Sequence, residues 1–113
     1  MADRTERRRF ARIRRRYPVE FRAAGKTCSG FTHNLSAVGL FICSVYFPRP
    51  GTSLSLRIKV AEGKSFLMRV EVVRSYRVPQ QLTRFVPSGF CVRFQQAPEE
   101  YFQLLARLFR VAA

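Results

Sequence analysis

Side chains that commonly build a catalytic or metal centre are scarce in this sequence. Histidine occurs once, as His33, and no Cys/His or Ser/His/Asp set can be placed around it. The cysteines are widely spaced and form no C-x-x-C pair, which argues against a zinc site or a disulfide framework and fits a reducing compartment. We therefore predict a protein that is not an enzyme and that holds no metal or other cofactor. The three cysteines are Cys28, Cys43 and Cys91.

Long apolar runs are missing as well. No stretch approaches the roughly 20 apolar residues that a membrane-spanning helix requires. The charged N-terminus lacks the apolar segment of a signal peptide. With 113 residues, 47% of them hydrophobic, the chain is long enough for one domain with a real core. We expect a cytoplasmic protein without a membrane span.

Acidic residues are few: seven stand against 21 Lys and Arg, and the formal net charge is +14. Residues 1–26 alone carry ten of the basic side chains. Such a charge implies an anionic partner, such as a nucleotide, a nucleic acid, an acidic lipid surface or an acidic protein. Residues 1–16, the basic arm, show no apolar periodicity, and we predict that the arm is flexible until something binds it. Residues 17–113 are predicted to form a single domain.

Alternation of polar and apolar residues predicts a mainly β domain. The clearest case is residues 52–60, where Leu54, Leu56 and Ile58 alternate with Ser, Arg and Lys. Gly30 is a candidate β-bulge within its strand. The period then changes, and Pro98 followed by acidic residues predicts a helix start. The predicted strands are 19–22, 27–35, 39–45, 52–60, 66–77 and 89–94, a run that most simply closes as a barrel or sandwich.

Two arginines of the arm, Arg8 and Arg12, form an R-x-x-x-R pattern directly after Arg7. The guanidinium group can grip a phosphate with two donors and can stack its flat face on an aromatic ring. One such pair can therefore hold both the phosphate and the base of a nucleotide. Arg12 and Arg16 satisfy the same pattern, so the register of the motif has a second solution four residues on.

A second motif, N-x-S-x-x-G, runs from Asn34 through Ser36 to Gly39 at a strand–turn–strand junction. Asn offers a donor and an acceptor to a base edge, Ser adds a hydroxyl, and Gly permits a tight turn or a close backbone approach. Alone, the pattern is a weak signal and is more typical of a turn in which Asn34 and Ser36 bond their own backbone.

Together, the two motifs resemble those of the PilZ domain family, as do the Pro18-Val19 strand entry and a G-x-x-V-x-F strand ending at Phe94. The resemblance covers residues 6–110. It implies a six-stranded antiparallel β-barrel with a flexible N-terminal arm and one C-terminal α-helix. It also implies binding of the bacterial second messenger cyclic di-GMP. The ligand-binding residues that it implies are Arg7, Arg8, Arg12, Asn34, Ser36 and Gly39.

The resemblance also bears on partners. Arg7 is similar to a third arginine that, in some members, helps to hold two stacked ligand molecules, and this allows a homodimer on ligand binding. We expect the output to pass to a separate effector protein. The alternatives are a degenerate member that works by protein contacts without ligand and a general nucleic-acid binder. Against the latter, Phe41, Phe66, Phe90 and Phe94 occupy alternating positions that suit a core.

Three further side chains have two interpretations each. Arg74 and Arg93 either extend the positive face beside the arm or are solvated strand residues. His33 either lines the ligand site or is an ordinary histidine at the end of a strand.

Overall fold

The computed structural model describes residues 11–61 and 63–112, so Arg7 and Arg8 lie outside the described residues. The described chain forms seven strands, a short 3₁₀ turn at Gln80–Leu82 and a helix. The strands are β1 (Ile13–Arg14), β2 (Pro18–Ala23), β3 (Lys26–Leu35), β4 (Gly39–Cys43), β5 (Ser53–Ala61), β6 (Lys64–Tyr76) and β7 (Gly89–Gln96), and the helix is α1 (Glu99–Ala112).

Six of the strands close into an antiparallel barrel, which confirms the predicted fold. The sheet runs in the order β3-β2-β5-β6-β7-β4, and a further pairing of β3 with β4 joins its two ends. β1 is an extra strand that pairs with β3 beyond the end of β2, with Ile13 opposite Leu35. The predicted arm of residues 1–16 therefore extends too far, because Ile13–Arg14 near its C-terminal end belongs to the sheet.

The barrel core follows from period-two patterning. In β5, Leu54, Leu56 and Ile58 are buried, whereas the intervening Ser, Arg and Lys side chains are exposed. Of the four phenylalanines predicted for the core, Phe90 is fully buried, and Phe66 and Phe94 pack against the core while partly exposed. Phe41 does not belong to the core cluster. The largest fully buried side chains include Tyr101, Phe21, Phe90, Leu35, Ile42 and Leu56.

Helix α1 closes over the barrel. Glu99 and Glu100 lie in its first turn and Arg110 in its last, where each charge is favoured by the helix dipole. Tyr101 packs edge-on against Phe94, with ring centroids 5.0 Å apart. Within the described part of the chain, no helix is both long and apolar enough to cross a membrane.

The β-bulge predicted at Gly30 occurs at His33 instead. The register of β3 against β4 shifts between Thr32 and Asn34. Gly30 itself pairs regularly, and a Cβ atom there would come 2.4 Å from the Cys43 carbonyl oxygen. Glycine at position 30 therefore allows the close approach of β3 to β4 rather than a bulge.

Candidate functional site

A cationic cavity of about 280 Å³ lies on the outer face of β4, β6 and β7, beside the β3–β4 turn. It brings Arg12 together with the second motif, although the two lie far apart in the chain. It also adds side chains from strands near the C-terminus. Its lining residues are Arg12, Asn34, Ser36, Val38, Gly39, Leu40, Phe41, Val73, Arg74, Tyr76, Cys91, Val92 and Arg93.

Two β-bulges turn polar side chains toward this cavity. In β3 the inward positions are Gly30 and Thr32, and after the bulge at His33 the inward position is Leu35, so Asn34 faces outward. In β6 the register against β7 shifts between Val72 and Arg74. Arg74 and Tyr76 would continue the buried series of Val70 and Val72, yet both are exposed and line the cavity. Bulges of this kind commonly re-aim side chains beside functional sites.

The hydroxyl of Ser36 is occupied by its own turn. Its oxygen accepts hydrogen bonds from the Val38 and Gly39 N–H groups, at 3.2 and 3.1 Å, and donates one to the Gly39 carbonyl at 3.1 Å. Ser36 is only 6% exposed. For Ser36 the self-bonded turn is therefore present. Asn34 differs, because its half-buried side chain has no hydrogen-bond partner among the described residues.

Gly39 is required by the packing of β4 against β7. A Cβ atom at this position would come 2.0 Å from the carbonyl oxygen of Val92 and 3.2 Å from the Cα of Arg93. Gly39 therefore allows a close backbone approach, and the approaching group is the neighbouring strand.

Tyr101 ties helix α1 to the turn. Its hydroxyl donates a 2.7 Å hydrogen bond to the Ser36 carbonyl oxygen, and the side chain is fully buried. Burial raises the pKa of the Tyr101 hydroxyl well above its ordinary value, which further favours the neutral form that donates this bond. The sequence contained no signal for this bond, which joins residues 65 positions apart.

We expect Tyr101→Phe to lower the free energy of unfolding by about 1–3 kcal/mol, because the buried Ser36 carbonyl loses its donor. Urea denaturation would measure the change. Tyr46→Phe is the matched control: Tyr46 is 36% exposed, and no hydrogen bond of its hydroxyl occurs among the described residues. Equal losses in the two variants would mean that the bond to Ser36 contributes nothing specific.

Arg12, and not Arg16, lies at the second motif. Arg12 directly precedes β1, whose Ile13 is 6% exposed and anchors the strand in the sheet. Arg16 instead stacks on the Phe31 ring, with its guanidinium carbon 4.0 Å from the ring centroid. It lines a different groove, together with Lys59 and Lys64.

Thr32 fastens the segment between β1 and β2. Its hydroxyl accepts the Tyr17 N–H at 2.8 Å and donates to the Arg15 carbonyl at 2.6 Å. The Thr32 N–H also donates to the Tyr17 carbonyl at 2.9 Å. Since Thr32 is 1% exposed, water does not replace these bonds. The side chain thereby positions the residues that lead back to Arg12.

Thr32→Val keeps the shape of the side chain but leaves the Tyr17 N–H and the Arg15 carbonyl without their partner. We expect a loss of about 1–3 kcal/mol in the free energy of unfolding. Thr27→Val on the same strand is the control: this exposed hydroxyl only accepts a 3.2 Å hydrogen bond from Arg22, so the change should stay within about 0.5 kcal/mol. A Thr32→Val protein as stable as the wild type in thermal and urea unfolding would contradict this role.

The wall of the cavity combines cations with aromatic rings. Arg93 donates two hydrogen bonds to one Glu71 oxygen, at 3.1 and 2.8 Å, so its charge is partly neutralised. Phe41, predicted for the core, lines the cavity, with its ring centroid 5.8 Å from that of Tyr76. Burial raises the pKa of the Cys91 thiol, although Arg12 and Arg74 act in the opposite direction. Cys91 is therefore a neutral thiol at physiological pH.

His33 does not line the cavity. Its ring packs edge-on against Phe41 at 5.8 Å. Burial, and secondarily the charge of Arg14, lowers the pKa of His33, so the ring is neutral at pH 7. Across residues 11–61 and 63–112, no group of three or more His, Cys, Asp or Glu side chains is placed to hold a metal ion.

The closed antiparallel barrel, its covering helix and a cationic cavity on its outer face define a small β-barrel domain. The family model described as "PilZ domain" matches residues 6–110, and the chain belongs to this family. No curated protein matches the sequence significantly.

Solved structures share the fold at low identity. The inhibitor of motility MotI/DgrA of Bacillus subtilis superposes with a TM-score of 0.74 at 19% identity. That alignment covers 94% of this chain and 51% of the Bacillus protein, so this chain spans about half of its length. The PilZ domain of YcgR from Escherichia coli, a structure with c-di-GMP, gives a TM-score of 0.67 at 15% identity, covering 92% of this chain and 90% of that one. The PilZ domain of CeSA from a cellulose-synthesizing bacterium gives 0.55 at 17% identity, with 90% and 98% covered.

Proposed function

We propose that this protein is a receptor for cyclic di-GMP and passes the signal to a separate effector protein. The observation that carries the proposal is the joining of Arg12 and Asn34 in one cavity with Arg74 and two aromatic rings. Membership of the PilZ domain family supports it. So does the fold likeness to the YcgR domain, whose structure contains c-di-GMP.

The charge and the aromatic side chains of the cavity suit this ligand. Cyclic di-GMP carries two phosphates and two flat purines. Guanidinium groups can pair with the former and stack on the latter. Arg12 and Arg74 supply such groups, and within the described residues neither forms an ion pair. Exposed parts of Phe41 and Tyr76 offer apolar surface to a base. Because the arginines would bind the phosphates mainly by charge, we expect the affinity for cyclic di-GMP to fall as the salt concentration rises.

Each predicted site residue has a proposed role. Arg12 holds a phosphate, and Arg8 and Arg7 close over the ligand from the basic arm. The Asn34 amide bonds a guanine edge. Ser36 acts differently from the family expectation: its hydroxyl bonds hold the turn, so it positions Asn34 rather than contacting the base. Gly39 acts by letting β4 approach β7.

In this proposal the signal is the ordering of the basic arm on ligand binding. Binding that closes the arm over the barrel creates a surface that a partner can distinguish from the open state. Two stacked ligand molecules, and with them a homodimer, are one form that the closed state can take.

Isothermal titration calorimetry of cyclic di-GMP into the protein at physiological ionic strength tests the proposal. Linear GMP and a short oligonucleotide are titrated separately as controls of related chemistry. We expect saturable binding of the cyclic dinucleotide alone, with a stoichiometry that separates one ligand from a stacked pair. Heat from the oligonucleotide but not from the dinucleotide would indicate that the basic surface binds nucleic acid. No heat from either would indicate a domain that works by protein contacts without ligand.

A further inference from the structure

Two loops leave the same end of the barrel, next to the cavity but outside it. They are residues 44–52, between β4 and β5, and residues 77–88, between β6 and β7, and we call them the loop end. Backbone and side-chain bonds join them: the Ser44 N–H donates to the Ser88 carbonyl at 3.2 Å, and the Arg77 guanidinium lies 4.6 Å from the Phe47 ring centroid. The loop end is therefore one surface.

This surface exposes large apolar side chains that the fold does not need. Val45 is 94% exposed and Phe85 74%, while Leu82 and Val86 are each about half exposed at 47% and 49%. Val45 is almost wholly exposed and Phe85 is about three-quarters exposed, so both protrude rather than line a groove. Four exposed large apolar side chains on two adjoining loops exceed the single scattered ones that need no explanation, and they indicate an interaction site.

The charge at this surface has one sign. Arg49, Arg77 and Arg84 are exposed there, and Arg84 lies 5.6 Å from the Phe85 ring centroid. Neither loop contains an acidic residue, and the stretches around them, residues 21–61 and 72–98, contain none either. The occupant that complements the loop end is therefore anionic.

We propose that the loop end binds an anionic lipid surface, with Phe85 and Val45 entering the interface and the three arginines contacting headgroups. Arginines beside apolar side chains are the usual composition of interfacial anchors. A bilayer accepts isolated protruding side chains without a complementary pocket, whereas a protein partner needs a matching hollow for each. This inference does not depend on binding of cyclic di-GMP.

Tryptophan offers a clean reporter because the natural chain contains none. In Phe85→Trp, mixing with vesicles of phosphatidylglycerol and phosphatidylcholine in equal parts, at physiological ionic strength, should shift the emission to the blue. Brominated lipid should quench it. Leu67→Trp is the matched control, since Leu67 is 57% exposed but lies in β6, outside the loop end. Its emission should not change.

Vesicle co-sedimentation gives the second readout. We expect Phe85→Ser to weaken partition by about tenfold or more. Arg84→Gln should weaken it by about fivefold, since each cation near an anionic surface contributes about that factor. Leu67→Ser and Arg107→Gln, equal changes elsewhere on the surface, should have little effect. Pure phosphatidylcholine should bind none of the proteins, and circular dichroism would check that each variant is folded.

Three results would overturn the proposal. One is no sedimentation with anionic vesicles. Another is sedimentation of the Phe85→Trp protein without a shift in its emission, which would mean that other basic residues bind the vesicles. The third is an emission shift of the Phe85→Trp protein with polyglutamate but not with vesicles, which would assign the loop end to an acidic protein.

Discussion

Arg12→Ala should weaken cyclic di-GMP binding by about 100-fold or more, which corresponds to about 3 kcal/mol. Arg12 lines the cavity beside Asn34, and it directly precedes Ile13, which is buried in the sheet. The backbone at Arg12 is therefore held beside the cavity, and in the proposed complex loss of the guanidinium would leave a ligand phosphate without a charged partner. Calorimetric titration measures the change.

Arg16→Ala is the matched control for this prediction. It removes the same charge four residues later, and it tests the second register of the R-x-x-x-R motif. Because Arg16 stacks on Phe31 and lines a separate groove, we expect less than about a threefold change, from long-range electrostatics alone. If Arg16→Ala abolished binding and Arg12→Ala left it intact, the proposed site would be wrong. Equal, small losses in both would indicate that binding depends only on net charge.

Gly39→Ala should cost about 3 kcal/mol or more of folding stability, since an added methyl in a closely packed site forces backbone shifts. The Cβ would stand 2.0 Å from the Val92 carbonyl oxygen, a backbone atom that cannot rotate away. Relief requires β4 and β7 to separate at Gly39 and Arg93, one of their paired positions. We expect both a lower midpoint in urea and a loss of cyclic di-GMP binding, because the cavity lies over this junction.

Gly51→Ala separates this packing effect from the general cost of replacing a glycine. Gly51 has φ +91° and nothing within 4 Å of an added Cβ. Its replacement should therefore cost only the left-handed backbone penalty of about 1–2 kcal/mol, with ligand binding unchanged. A Gly39→Ala protein that is no less stable than Gly51→Ala would show that β4 and β7 can move apart freely.

Local patterning predicted several elements of the fold from the sequence. The alternation of Leu54, Leu56 and Ile58 marked both the existence and the inward face of β5. Pro98 and the acids after it marked the start of α1. These signals are local because a strand repeats every two residues and a helix every 3.6 or so, so a few side chains suffice to reveal the buried face.

Such local patterning could not predict the positions of the β-bulges. Asn34 and Arg74 reach the cavity because β3 and β6 each gain one residue against a neighbour, at His33 and Val73. Gly30 looked like the bulge position from sequence, since glycine is common there. Whether a strand bulges depends on the length of its partner between fixed pairings, and the partner is not encoded in the strand itself.

The residues of the candidate site likewise fall into those that the sequence identified and those that only the structure placed there. The two motifs identified Arg12 and the turn from Asn34 to Gly39 by residue type and spacing. Phe41 was assigned to the core because alternation distinguishes two faces of a strand but not which of them meets a cavity. Arg74 and Arg93 had two open interpretations until β6 and β7 were placed beside β4.

By itself, the sequence determined the strongly basic charge, the mainly β class, the C-terminal helix and the motif residues. Tertiary structure alone decided the rest. The pairing of β3 with β4 closes the barrel, the Tyr101 hydroxyl reaches the Ser36 carbonyl across 65 positions of the chain, and Gly39 meets Val92. The physical reason is range: periodicity reports which face of a segment avoids water, whereas contacts between distant segments depend on the order in which the strands pair.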